Sequence, residues 1–125
     1  MANEDDVRRV ALSLPETTKD PNSFRFLVRE KAFAWSYMER VEPKKPRVRR
    51  PDVLAIRVAD EWDKQALLAV DSQKFFTTEH YNGFPAVLVR LPMIEVDELE
   101  ELLLNAWRTR APRALLANVD ERQRV

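Results

Sequence analysis

Apolar positions along the chain follow two periods, one typical of helices and one typical of strands. Near the N-terminus they recur every three or four residues, which predicts a first helix over residues 4–14 that is ended by Pro15. The same spacing predicts a second helix over residues 61–70, capped by Asp60, and a third over residues 97–110. In the second helix, four positions are expected to face the core: Trp62, Ala66, Leu67 and Val70.

Alternation of apolar and polar residues predicts the strands. Five strands are predicted, over residues 23–29, 32–40, 53–58, 75–78 and 86–91. In the second strand, the alternation places Phe33, Trp35 and Tyr37 on one face. Three prolines then remove amide hydrogens that a strand ladder needs, so residues 41–52 are predicted to form a long extended loop. Residues 16–22 are predicted to be a loop as well.

Together these elements predict an α+β fold with the order α-β-β-β-α-β-β-α. The expected architecture has two layers, an antiparallel five-stranded sheet with the helices on one face. A chain of 125 residues has the length of one domain, so residues 1–125 are expected to form a single domain with its core at about residues 5–115. Residues 113–118 are expected to add one helical turn, and residues 120–125 are expected to fray.

Composition excludes several kinds of site. The chain has no cysteine, one glycine and one histidine, which excludes thiolate chemistry, glycine-rich phosphate loops and sites built on several histidines. Acidic residues concentrate at 95–101, where the first turn of a helix explains them, so no metal and no cofactor are expected. Apolar runs stay short of the ~20 residues that span a membrane, and the acidic N-terminus lacks the apolar stretch of a secretory signal. A cytoplasmic location and a monomeric state are the expectation.

Basic residues cluster in the proline-rich loop, although the 21 basic and 21 acidic residues of the chain balance. The cluster comprises Lys44, Lys45, Arg47, Arg49 and Arg50. A basic loop stiffened by prolines can lie along a phosphate backbone, and five phosphate contacts would give a slope of log K against log salt of about −4. Clusters of one sign are also common as solvated surface, and Glu39, Glu42 and Asp52 lie nearby. Nucleic-acid binding and simple solvation are both open.

The turn after the fourth strand carries the single histidine. His80 lies between Glu79 and Tyr81, and because histidine titrates near neutrality this cluster has acid–base potential. No hydroxyl residue accompanies it in a triad or elbow motif, so we expect no catalytic residues, and a local turn or pocket role is favoured. Asn82 and Gly83 favour a tight turn because both tolerate positive φ.

Aromatic residues of the strands are predicted to fill the interface between the sheet and the helices, with base stacking as the alternative. Any aromatic that stays uncovered, with Trp35 and Tyr37 foremost, would line a pocket or an interface. A pocket between the sheet and the helices, near Trp35, His80, Tyr81 and Asn82, is therefore an alternative to binding on the basic loop. The same turn is also a candidate for a second DNA-contacting wing.

Two stretches of sequence carry a family resemblance. Residues 77–91 have the sequence TTEHYNGFPAVLVRL, and three pairs follow in the last helix: Glu98-Leu99, Leu102-Leu103 and Ala106-Trp107. Residues 12–17, LSLPET, end the first helix on a leucine–proline step. In these features the chain resembles the MmcQ/YjbR family of small bacterial proteins, over about residues 5–115.

The resemblance implies the fold α-β(3)-α-β(2)-α, which agrees with the order given above. It also implies DNA binding by a double wing. The basic loop is our candidate for one wing, and residues 79–84 are a candidate for a second wing that the sequence leaves open. The basic segment 43–51 is longer and more charged than the family leads us to expect, which points to a subgroup feature. The expected function is thus a DNA-binding module that makes mostly phosphate contacts. A small-molecule or protein-binding domain without catalysis is the alternative.

Overall fold

The computed structural model describes residues 1–117. In this part of the chain, the helices are α1 (Glu4–Ser13), α2 (Glu61–Val70) and α3 (Val96–Arg110), followed by helical residues 113–117. The strands are β1 (Thr17–Lys19), β2 (Arg25–Val28), β3 (Lys31–Glu39), β4 (Val48–Arg57), β5 (Phe75–Phe76) and β6 (Ala86–Arg90). Two short 3-10 turns cover Glu79–Tyr81 and Leu91–Met93.

The strands form one antiparallel sheet in the order β1-β2-β3-β4-β6-β5. This confirms the α+β class and the antiparallel sheet, but the prediction of five strands is wrong, since the described chain has six. The additional strand is β1, which lies inside the predicted loop 16–22 and pairs with β2, Thr17 opposite Val28. Three residues are too few to show an alternation of apolar and polar positions, so the pattern could not reveal this strand.

The long strand β4 starts at Val48, inside the predicted loop 41–52. The β3–β4 ladder shifts its register between Ser36 and Tyr37, which leaves extra residues of β4 in a bulge, Pro51 among them. A proline is tolerated there because the bulge needs no ladder hydrogen bond from its amide. Residues 48–52 of the predicted loop therefore belong to strand β4, and residues 41–47 lie in the connection between β3 and β4.

Helix starts are fixed by polar caps. Asn3 and Asp6 exchange side-chain to backbone hydrogen bonds in a capping box ahead of α1. Asp60 caps α2 as predicted, and Glu95 and Glu98 form a second capping box ahead of α3. Such caps satisfy amide groups that have no partner within the first helical turn, and each is worth about 1 kcal/mol.

Side chains on the two faces of β6 enter different clusters. Val87 and Val89 belong to the main core, which also holds residues of all three helices. Ala86 and Leu88 belong to a second cluster that contains no residue of α1, α2 or α3. The main core therefore lies between the sheet and the helices, as a two-layer fold requires, and the second cluster lies on the opposite face.

Helix α2 presents an unexpected face to the core. Three of the four positions predicted to face inward are exposed: Trp62, Ala66 and Val70. The inward side is instead formed by Lys64, Leu67 and Leu68, which keep the spacing of one helical face. A pattern that counts only apolar residues misses this face because its most buried member is a lysine.

The C-terminal part of the chain agrees with the prediction as far as it is described. Residues 113–117 are helical, whereas the predicted frayed residues 120–125 lie outside the described part. Across residues 1–117, none of the helices combines the length and the apolar character that a bilayer crossing requires.

Trp107 is the largest fully buried side chain of the main core, and its Nε1 donates a hydrogen bond to the carbonyl oxygen of Pro15 at 3.0 Å. Trp107→Ala is expected to lower the free energy of unfolding by about 3–5 kcal/mol, because it leaves a cavity. Trp62→Ala is the matched control, since Trp62 is 84% exposed, and should change the value by less than about 0.5 kcal/mol. Urea denaturation measures both variants, and equal losses would contradict this assignment of the core.

Candidate functional site

The predicted basic loop belongs to a hairpin, residues 39–50, which we call the basic ribbon. It comprises the end of β3, the connection and the start of β4, and it contains six basic and two acidic residues. Both acids form ion pairs with basic residues of the ribbon. Lys45 Nζ lies 3.2 Å from Glu42 Oε2, and Arg50 pairs with Glu39 on the neighbouring strand.

Arg49 connects the ribbon to the first helix. Its Nη2 donates to Glu4 Oε1 at 3.2 Å, and its Nη1 donates to Ser36 Oγ at 3.0 Å. The hydrogen bond to Glu4 raises the pKa of Arg49 above its ordinary value. Its guanidinium also lies 5.7 Å from the ring centroid of Phe24, so Arg49 acts as a structural contact at the base of the ribbon.

Lys44 and Arg47 complete the predicted set. The Lys44 side chain is exposed and makes no hydrogen bond or ion pair within residues 1–117. Arg47 Nη1 donates to the Met38 carbonyl oxygen at 3.1 Å and has no acidic partner in the same part of the chain. Of the five predicted DNA-contacting residues, three therefore have a carboxylate partner within residues 1–117 and two have none there.

The second cluster, on the sheet face away from the helices, is rich in aromatic residues. Trp35 Nε1 donates a hydrogen bond to Tyr81 Oη at 3.1 Å. The Phe84 ring lies edge-on to both of them, at 6.2 Å between ring centroids. Tyr37 packs against Phe76 and Tyr81, each at 6.3 Å. These edge-on and tilted ring contacts fix the rings in a defined arrangement.

Two expectations about these aromatics need correction. Phe33 belongs to the main core, whereas Trp35 and Tyr37 belong to the second cluster. The reason is a bulge in the β2–β3 ladder, which leaves Phe33 without an opposite residue and interrupts the alternation. The cluster around Trp35 and Tyr81 therefore does not lie between the sheet and the helices, where we expected the pocket.

Residues 79–84, which we call the aromatic turn, cover part of this second face. The predicted tight turn at Asn82 and Gly83 is confirmed: Gly83 has φ +76°, and the Phe84 amide donates to the Tyr81 carbonyl oxygen at 3.1 Å. A positive φ of this kind favours glycine. The turn thus directs Tyr81 inward and leaves Phe84 41% exposed.

The predicted pocket residues are partly brought together. Trp35 and Tyr81 are hydrogen-bonded, and the exposed His80 ring stands edge-on to Tyr81 at 5.3 Å. Asn82 is exposed at the tip of the aromatic turn. Within the described chain, His80 has no hydrogen bond to a hydroxyl or carboxylate group, so its observed contact is the ring of Tyr81.

A buried lysine holds the aromatic turn in place. Lys64, on α2, is 1% exposed, and its Nζ donates to the carbonyl oxygens of Tyr81, at 2.5 Å, and Phe84, at 2.9 Å. No carboxylate pairs with it among the described residues. Because an ammonium group is costly to remove from water, these hydrogen bonds are required to keep it buried.

An open groove of about 670 Å³ runs past Trp35 and Phe84. We call it the aromatic groove; it is lined by Asn22, Ser23, Phe24, Arg25, Glu30, Lys31, Ala32, Trp35, Ser36, Met38, Arg49, Arg57, Phe84 and Arg110. Five of these residues are basic and one is acidic. Arg49 is paired with Glu4, but the other basic residues form no ion pair within residues 1–117.

Arg57 is the most informative of these cations. It lies at the end of β4, with its guanidinium 5.3 Å from the Phe84 ring centroid. Burial lowers the pKa of Arg57, and the positive charge of Arg110 lowers it further. The groove therefore contains two neighbouring cations whose charges are not balanced by an acid in the described chain.

Sequence reasoning missed Arg57, Arg110 and Lys64 as site residues, and it included Phe84 only within the candidate second wing, residues 79–84. One signal was present, because Arg57 is the charged residue that interrupts the apolar run of the third predicted strand. Arg110 carries no comparable signal, since arginines at the end of a helix are explained by the helix dipole. Residues 1–117 contain no group of three or more histidine, cysteine or acidic residues arranged to hold a metal ion.

Comparison with known proteins gives the relationship of the chain. The model of the YjbR family matches residues 12–109. The chain belongs to the YjbR family. Uncharacterized proteins of Mycobacterium tuberculosis and Mycobacterium bovis are 41% identical to this YjbR chain over 123 residues, covering 93% of it and 94% of each relative. No solved structure matches it.

Replacement of Lys64 tests whether it anchors the aromatic turn of this YjbR chain. Lys64→Met keeps the length of the side chain but removes the Nζ hydrogen bonds to the Tyr81 and Phe84 carbonyl oxygens, which then keep one backbone donor each. The free energy of unfolding is expected to fall by about 1–3 kcal/mol, the range for hydrogen bonds to a charged group. Amide hydrogen exchange in residues 79–84 should accelerate more than in the main core. Gln65→Met, at the next and exposed position, is the control. Unchanged exchange in the turn would contradict the anchoring role.

Proposed function

We propose that this YjbR-family chain is a binding module without catalytic activity, and that its ligand occupies the aromatic groove. The observation that carries the proposal is the combination of aromatic walls, Trp35 and Phe84, with basic side chains that have no acidic partner in residues 1–117. Ligand sites typically have volumes of about 300–1,000 Å³ and combine apolar walls with a few converging polar groups. The groove, at about 670 Å³, has this size and composition.

The environment of His80 supports the non-catalytic part of the proposal. A general base needs a partner within hydrogen-bond distance, and a catalytic histidine is usually oriented by a third group. In the described chain, the His80 ring contacts Tyr81 and has neither a hydroxyl nor a carboxylate partner. A role in positioning Tyr81 fits these contacts better than proton transfer.

The groove proposal is tested by screening a mixture of neutral and charged aromatic fragments against the protein, with backbone amide NMR shifts as the readout. We expect hits to move signals of groove residues, and Trp35→Ala to weaken them by about tenfold or more, roughly 1.4 kcal/mol. Trp62→Ala removes an exposed tryptophan outside the groove and should leave binding unchanged.

Because Trp35→Ala also removes the hydrogen bond to Tyr81, Trp35→Phe is measured beside it. This variant keeps an aromatic wall and should retain most of the affinity. Fragments that bind elsewhere on the chain, or bind equally well to Trp35→Ala, would refute the groove as the ligand site.

DNA is the second candidate partner, and the charge of the basic ribbon favours it. The ribbon keeps an excess of basic residues, six against two, on a hairpin. Ion pairs between exposed side chains are worth only about 0–1 kcal/mol, so phosphate groups can replace Glu42 and Glu39 as partners of Lys45 and Arg50. The ion pairs within the ribbon nevertheless reduce the number of cations that can contact a phosphate without first releasing an acidic partner.

A salt series measures this reduced availability. If only Lys44 and Arg47 contact phosphates, the slope of log K against log salt for a labelled DNA duplex should be about −2, against about −4 for all five cations. Lys44→Ser/Arg47→Ser should remove most of the salt dependence, and fluorescence anisotropy provides the measurement. Arg57→Gln, in the groove, is the control. Absence of binding at low salt would exclude DNA as the partner of the ribbon.

A further inference from the structure

We infer that the aromatic groove binds a small organic anion with a planar ring, held with its ring beside Trp35 and Phe84 and its anionic group between Arg57 and Arg110. This inference rests on the proposed function of the groove as a ligand site and adds the chemical class of the ligand. Phosphate and carboxylate share the chemistry required, namely a compact negative group with several acceptor oxygens.

The first argument is the unbalanced charge. Arg57 is half-buried and lies near Arg110, and neither forms an ion pair within residues 1–117. Burial and the charge of Arg110 lower the pKa of Arg57, which means that the folded chain disfavours the charged form. An anion between the two guanidinium groups would offset this penalty, because its charge attracts both cations. Glu30 is the single acid that lines the groove, and it faces four basic residues that lack an ion pair.

The second argument is an unused donor. The Nε of Arg110 is buried and has no hydrogen-bond partner in the described chain. Buried donors are nearly always paired, and an unpaired one calls for an explanation. A guanidinium group can donate two parallel hydrogen bonds to a carboxylate or phosphate, so a rotation of the Arg110 side chain that exposes Nε to the groove would let a bound anion satisfy this donor. The position of Arg110 at the end of α3 also suits the helix dipole, but Arg57, at the end of a strand, has no such structural cause.

The third argument concerns the ring. Trp35 is fixed by its hydrogen bond to Tyr81, and Phe84 stands at 73° to it with 41% of its surface exposed. Rigid, partly exposed aromatic rings in this relation offer both stacking and edge-on contacts to a flat ligand. An aliphatic anion would use the arginines but would leave these surfaces in water. The combination therefore favours a ring over a simple inorganic anion.

The test titrates the protein with three probes: adenosine monophosphate, adenosine and inorganic phosphate. The indole N–H signal of Trp35, identified by its loss in Trp35→Phe, reports binding. We expect the monophosphate to bind at least about tenfold more tightly than either of the other probes. A second pair of probes, 2-naphthoate and its neutral counterpart 2-naphthalenemethanol, tests whether a carboxylate can replace the phosphate. If the naphthoate binds at least about tenfold more tightly than the alcohol, a carboxylate is sufficient.

Arg57→Gln and Arg110→Gln should each weaken the ring-bearing anion by about tenfold, while adenosine is unaffected. Lys44→Ser, on the basic ribbon, is the matched control and should change neither the affinity for the anion nor the affinity for adenosine. Melting temperature gives a second readout. Removal of one of two unbalanced cations should leave it unchanged or raise it, whereas a purely structural role would lower it.

The outcomes separate the two proposals. Equal affinities for neutral and anionic rings, or anion binding that survives both arginine variants, would overturn the anion assignment while the groove remains a ligand site. If neither monophosphate nor naphthoate moves the Trp35 signal at about 10 mM, which detects millimolar dissociation constants, the inference is wrong.

Loss of all fragment binding in the groove would refute the proposed function itself. Tighter binding of a single-stranded oligonucleotide than of the monophosphate, with the same arginine dependence, would replace the small anion by nucleic acid.

Discussion

A buried ammonium group controls the second face of the sheet. Lys64 reaches from α2 to two backbone carbonyl oxygens of the aromatic turn and has no carboxylate partner in the described residues. Its burial is tolerated only because these acceptors replace water. The turn it holds presents Tyr81 to Trp35 and leaves Phe84 at the rim of the groove. The shape of this face thus follows from one cation whose hydrogen bonds are satisfied internally.

Charge is organised differently at the two basic regions. On the basic ribbon, acids from the ribbon and from α1 lie beside Lys45, Arg49 and Arg50, so several cations help to hold the hairpin together. At the aromatic groove, Arg57 and Arg110 lie close to each other and partly out of water without an acid beside them in residues 1–117. Ion pairs reduce the repulsion between like charges in the folded protein, whereas the repulsion between cations without an acidic neighbour is not compensated.

Local signals in the sequence account for much of the fold. The first and third helices carry apolar stripes and polar caps, and both elements form where predicted to within a few residues. The pattern failed where tertiary pairing decides: the three residues of β1 depend on β2, and the bulges at Phe33 and Pro51 depend on the register of neighbouring strands. Such pairing is invisible in a single segment.

The site was less predictable than the fold for related reasons. Trp35 and Tyr81 were identified because bulky aromatics in a strand and a turn have to pack or to bind. Lys64 looks like any exposed lysine in an amphipathic helix until the turn above it is placed. Arg57 and Arg110 lie near each other only because α3 ends beside the C-terminal end of β4. No local sequence pattern encodes this juxtaposition.

The two outermost strands of the sheet are very short: β1 has three residues and β5 has two. A long border strand would offer a row of free amide and carbonyl groups to which a strand of another molecule could add. β1 and β5 are too short to offer more than a few such groups, although the second face of the sheet carries partly uncovered aromatic rings. The two border strands therefore give other copies of the molecule little backbone on which to begin aggregation.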